Sequence, residues 1–209
     1  MSQFKNIIFD WSGTLVDDLG PVLDATNRVL NHYGKSTLTR DEFRSSFCLP
    51  FIDFYKEVLP GVPMSDLEDL YSEFFDKSDE SVKLLPGAVE FLNLCERAGL
   101  RIFLLSSIKN DHFKRQSEHL NLTEYFERVY TEALDKRICI KDLIRDCCLD
   151  VKETVFVGDM KHDVDAGRSA GVFTAAVLGG YNSKEMLVES APDLLIDNLL
   201  QLSDYLYRK

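Results

Sequence analysis

Six short apolar stretches, at residues 4–9, 101–105, 126–130, 154–157, 173–177 and 193–196, recur along the chain with helical patterns between most of them. Their length suits strands buried on both faces. Repeated strand, helix and strand require a parallel sheet, because parallel neighbours need a crossover connection. The expected fold class is therefore α/β, a Rossmann-like parallel sheet with helices on both faces. Residues 86–98 read as one such crossover: Val89, Leu92 and Leu94 lie near one face, Pro86 stands at the start and Gly99 follows the end. Residues 140–149 place Ile140, Leu143, Ile144, Cys147 and Cys148 on one stripe, and 163–170 form a short helix before the next strand.

One stretch breaks the alternation. Residues 17–83 carry only helical patterns, such as Val22, Leu23, Val29 and Leu30, then Leu67, Leu70, Tyr71, Phe74 and Phe75, with turns at Gly34 and between Pro60 and Pro63. We read this as an all-helical cap inserted into a core made of residues 1–16 and 84–209. Ligands of open parallel sheets bind at the carboxyl ends of the strands. An insertion leaving directly after the first strand would sit over that site.

Composition narrows the class of function. The chain has 209 residues, 45% of them hydrophobic and 28% charged. That length buries roughly 70% of the extended-chain surface without a disulfide or metal staple. Lys and Arg number 24 against 35 Asp and Glu, a net charge of −11, the wrong sign for neutralising nucleic-acid phosphates or anionic lipid. No apolar run approaches the roughly 20 residues of a membrane span, and the first residues lack a secretory leader pattern. The expectation is a cytoplasmic protein without nucleic-acid or membrane partners. Five cysteines, Cys48, Cys95, Cys139, Cys147 and Cys148, have no C-x-x-C spacing. They read as small buried hydrophobes in a reducing compartment rather than as disulfides or a zinc site.

The chemistry concentrates at the strand ends. The first strand runs into Asp10-Trp11-Ser12-Gly13-Thr14-Leu15, and the fourth into Gly158-Asp159-Met160-Lys161-His162-Asp163. Singly, each aspartate is equally at home as a turn residue or helix cap. Together they repel unless a cation joins them, and all-oxygen ligation suits Mg²⁺. Ser106 and Ser107 end the second strand with hydroxyls and backbone N–H groups, and Lys136 can supply a cation. Hydroxyl, ammonium, carboxylates and a divalent metal are the parts that hold a phosphoryl group, whose transfer is catalysed largely by positioning and charge stabilisation.

In the order and spacing of these four segments the chain resembles the haloacid dehalogenase-like hydrolase superfamily over essentially its whole length. Members carry D-x-D-G-T-[LV] after strand one, Ser or Thr after strand two, a later Lys, and G-D-x-x-x-D after strand four. The resemblance implies the helical cap of the phosphoglycolate-phosphatase-like and mutase-like branches. It makes Asp10 the nucleophile that forms an aspartyl-phosphate, with Ser106, Ser107 and Lys136 on the phosphoryl oxygens. Mg²⁺ would be held by Asp10, the backbone carbonyl of Ser12 and Asp159, with Asp163 orienting Asp159, a metal water or Lys136. Lys141 is the alternative to Lys136.

One departure stands out. Ser12 replaces the second aspartate, which in phosphatases of the family protonates the leaving oxygen and then activates water. A hydroxyl exchanges protons poorly near neutral pH, and general acid–base catalysis is worth about 10²- to 10⁴-fold. The expectation is a Mg²⁺-dependent phosphatase or phosphotransferase acting slowly on a small phosphorylated metabolite. The alternatives are a catalytically weakened phosphate-binding or regulatory protein, and a phosphonoacetaldehyde hydrolase-like enzyme. Against the last, Phe51 stands where a cap lysine would fall. The cap loop from Cys48 to Phe51, with Arg44 as its nearest cation, suggests a substrate with some hydrophobic character. His162 is a candidate substitute base, and Trp11 reads as packing under the cap or gating the entrance.

Overall fold

The computed structural model describes residues 4–77 and 82–206. Its strands are β1 (Asn6–Phe9), β2 (Val16–Asp17), β3 (Lys83–Leu84), β4 (Arg101–Leu105), β5 (Arg128–Tyr130), β6 (Thr154–Gly158), β7 (Phe173–Val177) and β8 (Leu194–Ile196). Six of them form one sheet in the order β5-β4-β1-β6-β7-β8, every neighbour parallel. The α/β expectation holds, and all six expected strands are present. Counted along the sheet's own strands the order is 3-2-1-4-5-6, so the chain reverses direction at β1. Phe9 pairs with Leu104 on one side and Val157 on the other. The segments that follow β1, β4 and β6 therefore leave the sheet at one edge.

The insertion supplies four helices, α1 (Leu19–His32), α2 (Arg40–Ser46), α3 (Phe51–Val58) and α4 (Met64–Asp76). Residues 78–81 of the expected cap lie outside the described residues. The chain leaves and re-enters the core through an antiparallel ribbon of β2 and β3, Val16 opposite Leu84 and Asp17 opposite Lys83. Val29, Phe43, Phe54, Leu67 and Phe75 give the cap an apolar centre of its own, joined from the core side by Met160 and Tyr181. Local signals set the helix starts: Thr39 and Glu42 form a reciprocal capping box at α2.

The flanking helices are α5 (Ala88–Arg97), α6 (Asn110–His119), α7 (Lys136–Asp146), α8 (Lys161–Ala170), α9 (Lys184–Ser190) and the short α10 (Ser203–Leu206). Helix α7 begins at Lys136 rather than Ile140, because the Asp135 side chain caps it by accepting from Arg137 N–H. It ends at Asp146, and Cys148, with φ 53°, is exposed rather than on the apolar stripe. All five cysteines are free; Cys95 and Cys147 are buried, Cys48 and Cys139 half-buried. Among the described residues no helix is long and apolar enough to cross a membrane.

Helix α8 approaches the sheet through Gly167, where an added Cβ would lie 2.5 Å from Thr174 Cγ2. Thr174 cannot turn away, since its Oγ1 donates to Asp193 Oδ2 at 2.8 Å and accepts from Asp193 N–H at 3.0 Å. Alanine gains up to about 1 kcal/mol in helix propensity, but overpacking costs about 1–3 kcal/mol. We expect Gly167→Ala to destabilise the protein by about 1–2 kcal/mol in urea unfolding; a stabilised variant would show that α8 can lift from β7 without cost.

Candidate active site

Asp10 directly follows β1, and Asp159 directly follows β6, the strand beside it. Both are buried, as is Asp163 in the first turn of α8. Carboxyl oxygens from the three lie within 4.8 Å of one another. Backbone geometry makes room for them. Gly13 has φ +73°, which favours glycine, and a Cβ there or at Gly180 would overlap the Asp159 carboxylate; one at Gly158 would overlap Asp163. Thr14 Oγ1 donates to Asp159 Oδ1 at 3.1 Å and Tyr181 N–H to Oδ2 at 2.6 Å. Asp163 Oδ2 accepts from Met160 N–H at 3.0 Å.

Lys136 is wholly buried, its Nζ 2.8 Å from Asp10 Oδ1 and 2.7 Å from Asp163 Oδ1. Burial opposes its charge, but Asp10 and Asp163 outweigh that and raise its pKa. Lys141, the sequence alternative, is exposed on α7. His162 Nε2 accepts the Lys136 backbone N–H at 3.1 Å, and burial first, then Lys136, lower its pKa to about 4. His162 is thus a neutral support for the start of α7. With its Nε2 lone pair engaged and no place in the cavity lining, it is not positioned as a substitute base.

Burial raises the pKa of Asp10, with Asp163 adding to it and Lys136 opposing. Asp159 is pushed further up by burial and by the charges of Asp10 and Asp163. Asp10 Oδ1 meets Lys136 as an ion pair yet accepts no well-aligned hydrogen bond. Three buried carboxylates thus share one ammonium. Their all-oxygen donor set fits a hard divalent cation such as Mg²⁺.

Above this cluster lies a cavity of about 160 Å³ between core and cap, lined by Asp10, Ser12 and Ser107 on the core side. Ser106 is buried beside it at the end of β4, its Oγ accepting from Ile108 N–H at 3.4 Å. Trp11 is neither gate nor cap packing. Its ring is fully buried in the core against Phe113 at 4.9 Å and Phe126 at 6.3 Å, and Nε1 donates to Gln116 Oε1 at 2.7 Å. Arg44 donates to the Asn182 carbonyl at 3.0 Å and is not part of the cavity lining.

Asp18 is a residue that sequence reasoning missed. It lines the cavity, is buried, and its Oδ2 accepts from Ser12 Oγ at 2.6 Å while Oδ1 accepts from Tyr181 Oη at 2.9 Å. Burial raises its pKa from an ordinary 3.8 to about 7, against the two hydrogen bonds. In the sequence Asp17-Asp18 reads as the first polar residues of the insertion, and nothing there separates the exposed member from the buried one. Tyr181 was more accessible: Gly179-Gly180 follows β7, at the same edge of the sheet as the other two glycine-containing strand ends.

The family pattern described as "Haloacid dehalogenase-like hydrolase" matches residues 7–177. A phosphoglycolate phosphatase from Agrobacterium fabrum is 28% identical, over 97% of this chain and 92% of its own. Phosphoglycolate phosphatase 1 from Pseudomonas aeruginosa is 25% identical, over 94% of this chain and 77% of its own. A solved haloacid dehalogenase-like hydrolase from Streptococcus pneumoniae superposes with a TM-score of 0.87 at 19% identity, covering 98% of this chain and 99% of that one.

The buried Asp18 carboxyl has a pH signature. In the unfolded chain it ionises near 3.8, whereas in the fold it keeps its proton to about pH 7. Between those values the folded state binds more protons, so the Asp18 contribution to stability falls as pH rises through the window. At about 1.4 kcal/mol per pKa unit the loss is at most about 4 kcal/mol. Asp18→Asn is therefore expected to gain stability relative to wild type between pH 4 and 8 in denaturant titrations; parallel curves would mean that Asp18 is ionised throughout.

Proposed function

The chain belongs to the haloacid dehalogenase-like hydrolase family, and from that premise we propose that it is a Mg²⁺-dependent phosphatase of a small phosphorylated metabolite, with Asp10 as nucleophile and Asp18 working through Ser12 as acid and base. The observation that carries this reading is the 2.6 Å hydrogen bond from Ser12 to a buried carboxyl on the cavity wall. Across a contact that short the charged carboxylate accepts from Ser12, and the protonated carboxyl donates to it. The relatives named phosphoglycolate phosphatase support a phosphate monoester as substrate.

Bound Mg²⁺ would be held by Asp10, the Ser12 carbonyl and Asp159, and would offset the charge of the phosphoryl oxygens. Lys136 stands beside the nucleophile to do the same from the protein side, with Ser106 and Ser107 as further donors. Asp163 acts on Lys136, holding its ammonium against Asp10.

The proton balance closes on Asp18. When an Asp10 oxygen bonds to phosphorus and the ester P–O bond breaks, the leaving oxygen takes the Ser12 hydroxyl proton, and Ser12 takes one from the Asp18 carboxyl. Water then attacks the aspartyl-phosphate, its proton returns through Ser12 to Asp18, and Asp10 is freed. A pKa of about 7 suits a group that gives and recovers a proton in one cycle. Tyr181 Oη remains a donor to Asp18 while the carboxylate is charged. The relay offsets the slow turnover expected from Ser12 alone.

The test is a panel of phosphate monoesters with and without Mg²⁺, run on wild type, Asp10→Asn and Asp18→Asn. Asp10→Asn should abolish turnover. Asp18→Asn should lower kcat on alkyl phosphates by about 10²- to 10⁴-fold, while phosphorylation of Asp10 by p-nitrophenyl phosphate, whose leaving group needs no proton, is largely retained. Activity surviving in Asp10→Asn would remove the covalent route. A phosphate-binding regulatory protein would instead bind phosphate and turn over none of the esters.

A further inference from the structure

We propose that the leaving group of the substrate is an uncharged, largely apolar alcohol about the size of one ring, an inference that rests on the phosphatase reading and specifies it. The cavity over Asp10 is walled by cap side chains, chiefly Phe47, Leu49, Phe51, Leu67, Tyr71 and Phe75. Its volume of about 160 Å³, close to that of an apolar protein cavity of about 150 Å³ that takes benzene, has to hold the phosphoryl group as well, which bounds the leaving group at about one ring. From the core side Met160 and Ile108 close it with further apolar surface.

The apolar surface of the lining argues against an anionic leaving group. Asp18 and Glu68 are carboxylates. Lys109, a cation, and His112 are among the described lining residues, and both bridge to the cap. Lys109 Nζ donates to Ser72 Oγ at 2.5 Å, and His112 Nε2 lies 3.1 Å from Asp76 with its ring stacked on Phe75 at 4.9 Å. Arg44, the cation nearest the cap loop in sequence, is held outside by the Asn182 carbonyl. A carboxylate on the leaving group would lose its water against the apolar wall.

Two non-hydrolysable probes of equal chain length separate the possibilities: 2-phenylethylphosphonate, with an apolar ring, and 2-carboxyethylphosphonate, with a carboxylate. Binding to the Mg²⁺-loaded protein by calorimetry should favour the phenyl probe by tenfold or more. Phe51→Arg, which sets a cation in the cavity wall, should narrow or reverse that ratio. Equal or tighter binding of the carboxylate probe would overturn the inference, as would hydrolysis of phosphoglycolate with a kcat/KM at or above that of benzyl phosphate. Failure of the phosphatase reading looks different: the phenyl probe binds tightly, and neither ester is hydrolysed.

Discussion

The architecture of the site depends on one buried ammonium among three buried carboxylates. Lys136 has no exposed surface, and its Nζ touches Asp10 and Asp163 together. A lone buried charge would cost several kcal/mol, so Lys136 is tenable only where the two aspartates stand. Their positions are fixed by the sheet: β1 and β6 pair in register, and Asp10 and Gly158-Asp159 leave them side by side. Asp163 is held by Met160 N–H one turn away, and the start of α7 by His162. Most contacts in the cluster therefore serve to keep like charges close enough to share a cation. An excess of negative charge remains after Lys136 is counted, which is the electrostatic argument for a metal.

Tyr181 ties this cluster to the cap. Its N–H donates to Asp159 and its hydroxyl to Asp18, while its ring packs near Phe43 and Phe47 at centroid distances of 6.1 and 5.5 Å. Beside it, Asn182 donates to the Phe47 carbonyl and accepts from Arg44 through its own. On the opposite flank Asp76 of the cap meets His112 and Arg115 of α6. The cap is thus latched to the core on two sides of the cavity, with one latch reaching the carboxyl that hydrogen-bonds Ser12. Removing the Tyr181 side chain would strip a donor from Asp18 and leave the backbone N–H to Asp159 in place.

The strand pattern was legible because buried parallel strands are short apolar runs with little else to confuse them, and all six were readable to within two residues. The site residues in those strand ends were legible for the same reason, since a carboxylate after an apolar strand is locally conspicuous. What stayed hidden depends on side-chain direction. Trp11 and Ser12 are adjacent, yet one turns into the core against Phe113 and the other toward Asp18. Arg44 is on the right helix and points the wrong way. Asp18 is invisible because its meaning comes from burial beneath a cap that is folded from the following residues.

That last case bears on how the loss of an expected residue should be read. Judged by position, Ser12 deletes the acid–base carboxylate and implies a weak enzyme. Judged by space, a carboxyl still stands one hydroxyl away, with a second donor, Tyr181, to stabilise its charged form. Its surroundings differ from those of a carboxylate facing open solvent: it is buried, and burial sets its proton affinity near neutrality. The same apolar wall that excludes water from Asp18 shapes the space for the leaving group. The proposed serine relay and the proposed apolar leaving group therefore rest on one feature, since a proton held on a carboxyl at neutral pH requires the dry surroundings that also favour an uncharged leaving group.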